Sequence, residues 1–454
     1  MITQDNKTKP INAEELEDLQ LLAGKTIGEF SSEKFPGLLV FPRDFNASED
    51  LDKDTVLYSI EIKDKKPQLI TNNIVGYIGF ENTQLTIRSR FSEENEEDYF
   101  LHYMLQKVLS LNIIELKHKT ADEHILDFLI YLFPSLLKRA IRQGIFKEYQ
   151  NRAYDNAYIK GRINVSKFIQ TDVPFAGHIA YNTREYCADN NMNQLIRHTI
   201  EYIKDYSFGQ KETDKKIQIG RNLLSVDEET KQAVSLIIAH TSSYQRRNRL
   251  QVINKNLKAV RHPYYSAYLP LKRLCLQILK HRGLKYGQVN QKIQGVLFDA
   301  AWLWEEYLNT ILKPMGYEHP QNKKHLGALY LFSDNKYQPR FPDFYKGKIV
   351  LDAKYKYAVA REDYHQMITY LYIRQGEKGI FLSPEPSVSF FSKSSLADNL
   401  SDKLNRKHLG KLNGYDGELQ SIHLSIPTHC KTYTDFCQEM KKQEDLLQKS
   451  LAFQ

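Results

Sequence analysis

Cysteine and tryptophan are scarce, with four of the first and two of the second in 454 residues. Cys187, Cys275, Cys430 and Cys437 are too few and too irregularly spaced for a disulfide framework in a chain this long, which fits a reducing cytoplasm. His429, Cys430 and Cys437 lie near one another, but no CxxC pair accompanies them, so zinc is not expected. Apolar runs such as VLFDAAWLW stop well short of the ~20 residues that span a bilayer, so no membrane role is expected. A basic region followed by an apolar one is missing from the polar, acidic start, and export is not expected either. No fixed-period repeat and no long low-complexity tract is present, which argues against a solenoid or a disordered chain. A phosphate-binding loop is also lacking. Gly24-Lys25-Thr26 resembles the end of one, but Leu19 stands where its first glycine belongs and no clear strand precedes it, so this chain is expected to bind and hydrolyse no nucleotide.

What is present begins with charge. Lys plus Arg exceed Asp plus Glu by 63 to 55, a net charge of +8, which favours polyanionic partners and equally describes a solvated surface. Residues 36 to 91 carry short alternating runs (GLLVF, TVLYSIEI, QLTIRSRF) separated by polar clusters, as strands and turns do. The acidic stretch from Ser92 to Asp98 reads as a solvated connection. From Tyr99 to about Lys285 the spacing turns helical. Arg246, Arg247, Arg249, Lys255, Lys258 and Arg261, then Lys272, Arg273, Lys280, Arg282 and Lys285, form a basic set that either tracks a phosphate backbone or lines a solvated helix face. After Gly287 come a helix over Val296 to Leu312, strands over Arg340 to Tyr355, a helix over Glu362 to Gln375 and a strand over Lys378 to Ser383, then a terminal helix in the last thirty residues. The expectation is an α+β multidomain chain: residues 1–98 β-rich, 99–285 mainly helical, 286–454 α/β.

The segment PDFYKGKIVLDAKYK carries the chemistry. With Lys346-Gly347 as a two-residue hairpin turn, Tyr345 pairs with Lys348 and Asp343 with Val350, which makes Asp352 the diagonal neighbour of Asp343 on one face. Lys354 shares that face, because side chains alternate along a strand. Diagonal neighbours lie roughly 7–8 Å apart, near enough for two carboxylates to meet around one cation. Magnesium, with manganese as a substitute, suits oxygen ligands and retains waters and phosphate oxygens in its shell. Asp343 and Asp352 would hold the metal, and Lys354, kept protonated by the carboxylates, would orient water or stabilise developing charge. Asp and Lys are also common on salt-bridged hairpins, so the context matters. Glu305 and Glu306 lie on the preceding helix, and Gln366 and Tyr370 sit at i, i+4 on the following one. Glu305 alone would equally suit an exposed helix position.

These residues resemble the PD-(D/E)xK nucleases, and the longer stretches resemble McrC, the nuclease subunit of McrBC modification-dependent restriction systems. ITNNIVGYIGFENTQLTIRSRF, EYQNRAYDNAYIKGRINVSKFI, YCADNNMNQLIRHTI, LFDAAWLWEEYL, FPDFYKGKIVLDAKYK and DYHQMITYLY carry the resemblance over about residues 70 to 385. Ser89 stands where that family usually has proline, and residues 1 to 60 match no family element. The resemblance implies catalytic roles for Asp343, Asp352, Lys354, Glu305 and Gln366, and a metal bound by Asp343, Asp352 and the Ala353 carbonyl. It implies a cytoplasmic antiphage endonuclease that cuts double-stranded DNA while docked on, and stimulating, an AAA+ GTPase of McrB type. Residues upstream of about 285, with 1–98 as the partner-docking domain, the segment Ile74 to Phe91 its chief part with Arg88 and Arg90 on one strand face, and the central helical and β-rich parts as the stalk, would be the docking end, opposite a nuclease domain at 286–454. A stand-alone repair or recombination nuclease and a non-catalytic adaptor of an AAA+ ring are the competing readings. Activity of the purified chain alone separates them.

Overall fold

The computed structural model describes residues 1–29, 35, 38–42, 55–64, 66–80, 83–92, 98–109, 121–171, 173–175, 177–206, 221, 223–225, 227–257, 264–284, 293–320, 328–334, 337, 339–386 and 405–452. Lys258, Arg261, Lys285 and the side chain of Arg282 lie outside the described residues.

The alternating segments upstream of residue 91 build two sheets. Strands β1 (Ile2–Gln4), β3 (Leu38–Phe41), β6 (Ile74–Gly79) and β7 (Gln84–Arg88) join β11 (Gln294–Asp299) in the order β1-β7-β6-β11-β3. Strands β2 (Thr8–Pro10), β4 (Tyr58–Lys63) and β5 (Lys66–Thr71) form a second, antiparallel sheet, with the short helix α1 (Ala13–Gln20) following β2 in the chain. Leu19, Leu22, Leu57, Leu69, Ile74, Ile78, Leu85 and Leu297 are buried in one core beneath them.

The sequence expectation of a helix from Val296 is corrected at β11. This strand runs antiparallel to β6 and parallel to β3, and Val296, Leu297 and Phe298 are 3, 1 and 2% exposed. A short apolar run buried on both faces has no period that separates strand from helix. Glycine makes the fit possible: a Cβ on Gly76 would lie 2.2 Å from the Val296 carbonyl oxygen, and one on Gly295 would lie 2.3 Å from that of Tyr77. Only after Asp299 does helix α9 (Ala300–Leu312) begin, with the Asp299 carboxylate accepting from the N–H groups of Ala301 and Trp302 at 2.8 and 3.1 Å.

Because of β11, the chain is grouped differently from three consecutive segments. Residues 1–118 and 290–454 make one unit, and 119–289 make another. Helix α2 (Tyr99–Leu109), expected in the helical middle, packs in the first unit on α9, with Phe100 against Trp304 and Tyr103 against Tyr307. Asp98, expected on a solvated connection, is 6% exposed and accepts from the N–H groups of Leu101 and Ser89.

The second unit holds helices α3 (Ala121–Ile141), α5 (Asn191–Asp205), α6 (Glu228–Ala239), α7 (Arg249–Asn256) and α8 (Tyr268–Leu284). It also carries a sheet the helical reading did not foresee, β8 (Glu148–Asn156), β9 (Arg162–Ile163) and β10 (Ile179–Cys187), with the short helix α4 (Val165–Thr171). The Asn-rich entry to α5 is structural: Asn190 accepts from the Asn193 N–H at 3.1 Å, and Asn193 donates to the Phe146 and Ala188 carbonyls at 2.8 and 2.7 Å. Lys272, expected among the phosphate-tracking residues, is instead 6% exposed in α8.

The last sheet positions the candidate site. Strands β12 (Phe344–Lys346), β13 (Ile349–Ala353), β14 (Lys378–Pro386), β15 (Asn405–Lys411) and β16 (Glu418–Ile426) lie in the order β12-β13-β14-β16-β15. Helix α10 (Arg361–Arg374) makes the crossover from β13 to the parallel β14 and buries Met367, Tyr370 and Leu371 against Val350 and Phe381. Strands β15 and β16 were not foreseen. The terminal helix was, and it runs as α11 (Tyr433–Ala452).

Candidate active site

The hairpin that presents Asp343 and Asp352 folds with a register two residues away from the expected one. Phe344 pairs with Leu351, Tyr345 with Val350 and Lys346 with Ile349, so the turn is Gly347-Lys348 rather than Lys346-Gly347. Gly347 takes φ +56° at the first loop position, where glycine is free of the Cβ clash. A two-residue shift keeps every side chain on its face, and it carries Asp343 from a diagonal position to one across from Asp352. Phe344 and Leu351, fully buried on the other face, fix this register.

The two carboxylates meet in a setting that opposes their charge. Asp352 is 1% exposed, and its Oδ1 accepts no hydrogen bond among the described residues. Asp343 Oδ2 accepts from the Ala353 N–H at 2.6 Å. Burial first, and then the neighbouring Asp343 charge, hold the Asp352 carboxyl well above the usual carboxylate range. Burial and the Glu305 carboxylate push Asp343 up to about 7, against the pull of Lys354 and the Ala353 N–H. A pair like this retains a proton or gathers a cation.

Lys354 Nζ stands 2.7 Å from Asp352 Oδ2 and 3.4 Å from Asp363 Oδ1, and it donates to Gln366 Oε1 at 3.1 Å. Burial alone would lower its pKa, but Asp352, Asp343 and Asp363 raise it, so the ammonium is kept. Gln366 Nε2 donates to the Tyr370 hydroxyl at 2.6 Å, which donates to the Phe341 carbonyl at 2.8 Å. The i, i+4 pair on α10 therefore ties the lysine back to the start of the hairpin.

Glu305 and Glu306 converge on a residue that the sequence did not single out. His319 stands 3.7 Å from Glu305 and 3.5 Å from Glu306, stacks on Phe344, and its Nδ1 lies 2.7 Å from the Asp343 carbonyl oxygen. Burial opposes charge on the imidazole, but Glu306, Glu305 and that carbonyl prevail and raise it to about 9. Asp363 was missed as well. It accepts from the Ala360 N–H at 2.7 Å at the start of α10 and pairs with both Lys354 and Lys356. A lone His before a proline in a loop and an acid in a helix's first turn carry no signal of their own.

The chain matches the profile of the family described as "McrBC 5-methylcytosine restriction system component" over residues 69–382, close to the stretch that resembles McrC in the sequence. The chain belongs to this family. No curated protein matches it. Among solved structures it is similar to a refined half-complex from the tetradecameric assembly of Thermococcus gammatolerans McrB AAA+ hexamers with bound McrC, at 14% identity and TM-score 0.45, covering 97% of this chain and 99% of that one. It is also similar to the cryo-EM structure of the Thermococcus gammatolerans McrBC complex, at 14% identity and TM-score 0.31, covering 69% of this chain and 87% of that one.

Within this McrBC-family chain, the segment Ile74–Phe91 does not lie opposite the hairpin, as expected of a docking end. Both edges of β6 and of β7 are taken by neighbouring strands. Arg90, expected to project toward a partner, is buried: its Nε donates to Asp5 at 2.8 Å, and its guanidinium covers the ring of Tyr355, the residue after Lys354. Among the described residues, no three His, Cys, Asp or Glu side chains are grouped to hold an ion by themselves. The ligands on offer are two carboxylates and backbone oxygens, a set that fits magnesium better than zinc because magnesium keeps several waters. Asp352 Oδ1, which accepts from no donor among the described residues, is the oxygen such an ion would take. No helix among the described residues is long and apolar enough to cross a membrane.

Proposed function

We propose that this chain is the DNA-cleaving subunit of a McrBC-type restriction system, hydrolysing phosphodiester bonds of double-stranded DNA with Mg2+ while docked on an AAA+ GTPase of McrB type. The observation that carries the reading is the Asp343–Asp352 pair, a half-buried and a buried carboxylate side by side with Asp352 Oδ1 accepting nothing among the described residues. Asp343, Asp352 and the Ala353 carbonyl would hold the magnesium ion, which supplies a lowered water pKa and charge neutralisation at the phosphate. Lys354, protonated and aimed by Asp363 and Gln366, brings a fixed positive charge to where the phosphate accumulates negative charge. Glu305, with Glu306, holds His319 on the Asp343 carbonyl and so fixes the backbone that presents the first carboxylate.

For docking, the second unit offers what the strand segment 74–91 does not. At the end of the β8–β10 ribbon, Tyr158, Val165, Ile169, Val173 and Phe175 are 79, 60, 62, 60 and 64% exposed. Apolar side chains gathered in water mark a protein-binding surface.

The test is cleavage of plasmid DNA by the purified chain, with Mg2+ or chelator and with or without the GTPase and GTP. Cleavage is expected only with Mg2+ and the partner, and Asp352→Ala should abolish it while partner binding persists. Full cleavage by the chain alone would make it a stand-alone nuclease. A folded Asp352→Ala variant that cuts at the wild-type rate would remove this site from the reaction.

A further inference from the structure

The ladder that holds the catalytic strand ends where it is most needed. Strand β13 stops at Ala353, and beyond it the backbone bond from the Lys354 N–H to the Leu382 carbonyl, at 2.8 Å, is the last rung to β14. The next restraint comes from another sheet. Tyr355, 5% exposed, shares a 2.7 Å hydrogen bond between its hydroxyl and Ser89 Oγ, 266 residues earlier in the chain. Its ring packs edge-on against Phe91 at 5.0 Å and under the Arg90 guanidinium at 5.1 Å.

The receiving side is held on every hand. Ser89 is fully buried, its N–H donates to Asp98 Oδ2 at 2.6 Å, and its Oγ accepts from the Phe91 N–H at 3.2 Å. Asp98 also accepts from the Leu101 N–H at the start of α2. Arg90 is locked by Asp5, itself 1% exposed, and by Asn73. Tyr357 adds a second tie, donating to the Arg90 carbonyl at 2.7 Å. Tyr355 follows Lys354 directly in the chain, so anchoring it limits the directions in which the Lys354 side chain can leave the backbone.

We propose that Tyr355 and Ser89 are positioning residues for the nuclease reaction: their buried hydroxyl pair aims the Lys354 ammonium at the Asp343–Asp352 pair from a strut rooted in the N-terminal sheet. The inference rests on the nuclease reading above. A positioned group displaced by about 1 Å loses on the order of 10²-fold in rate without losing affinity, because binding does not use the lysine's aim.

The experiment compares full-length Tyr355→Phe, Ser89→Ala and the double variant with wild type, measuring single-turnover cleavage, DNA affinity and melting temperature. Tyr355→Phe keeps the ring that Phe91 and Arg90 pack against. The expected result is a fall of about 10-fold or more in the cleavage rate for each single variant, little further loss in the double, and unchanged DNA affinity. Glu444→Gln, in the same unit but away from Tyr355, reports what loosened packing alone does to the rate. Wild-type rates in Tyr355→Phe and Ser89→Ala, or losses matched by Glu444→Gln at equal melting temperature, would overturn the inference. If wild type itself cuts no DNA under any condition, the nuclease reading fails instead, and the two failures are told apart by that control.

Discussion

Asp352 and Glu444 are both buried carboxylates in the same unit, 1 and 7% exposed, and the protein treats them in opposite ways. Glu444, on α11, is surrounded by donors: the hydroxyls of Tyr103 and Tyr307 reach Oε1 at 2.8 and 2.9 Å, and Lys107 reaches Oε2 at 2.9 Å. It joins α2, α9 and α11 through their side chains and has no use for a further ligand. Asp352 has another carboxylate across from it, a lysine on one oxygen and no donor for the other. A satisfied buried charge belongs to the architecture, while one left short of donors is held ready for something that arrives.

Removing each should therefore cost different things. The largest effect expected is on cleavage: Asp352→Asn should lower the rate roughly 10²–10³-fold or more, while the melting temperature in chelator stays level or rises, because a buried, poorly paired charge is gone. A clear drop in that melting temperature would place Asp352 with Glu444 as architecture. Glu444→Ala should do the reverse. It strands two buried tyrosine hydroxyls and should cost roughly 2–6 kcal/mol in chemical denaturation, at about 1–3 kcal/mol for each unpartnered group, with cleavage per folded molecule near wild type. Equal losses of stability and rate would erase the contrast.

A third, smaller effect separates the two sites by pH. The folded Asp343 carboxyl titrates at about 7 and is raised above its unfolded value near 3.8, so its stabilising contribution is full below that lower value and is lost as pH rises toward 7. In chelator the melting temperature should fall from pH 5 to pH 8, and Mg2+ should restore it at pH 8 far more than at pH 5. Asp343→Asn should flatten both trends, because it removes the group that titrates, and Glu444→Ala should leave them intact. A melting temperature indifferent to Mg2+ at pH 8 would count against ion binding by the pair.

Much of the candidate site was legible because its signal survives error. The hairpin turn was expected one residue too early, yet a register wrong by two keeps Asp343, Asp352 and Lys354 on one face, and Gln366 met Lys354 because helix spacing is equally forgiving. What escaped lies across the chain rather than along it. The run Val296–Phe298 carries no period that tells a strand between two neighbours from a helix, and the polar β15 stretch NRKHLGK lacks the alternation of a buried strand. His319 and Asp363 depend on the partners that loops and caps bring to them, not on any motif. The docking end, expected upstream of about residue 285, was centred on residues 74–91 because nothing in their sequence shows that both strand edges are already occupied.

The return of β11 to the first sheet has a consequence for how the protein is made. Strands β6 and β3 leave the ribosome with a gap between them that is filled only after residues 119–289 have been synthesised. During that interval the first unit waits with unpaired backbone on facing strand edges, the condition that invites mispairing between nascent chains. A message interrupted within the insertion would yield an open sheet, and a fragment beginning near residue 286 would lack β3, β6, β7 and α2, the elements against which β11 and α9 are built. The sheet that receives β11 is thus closed only after the insertion has been made.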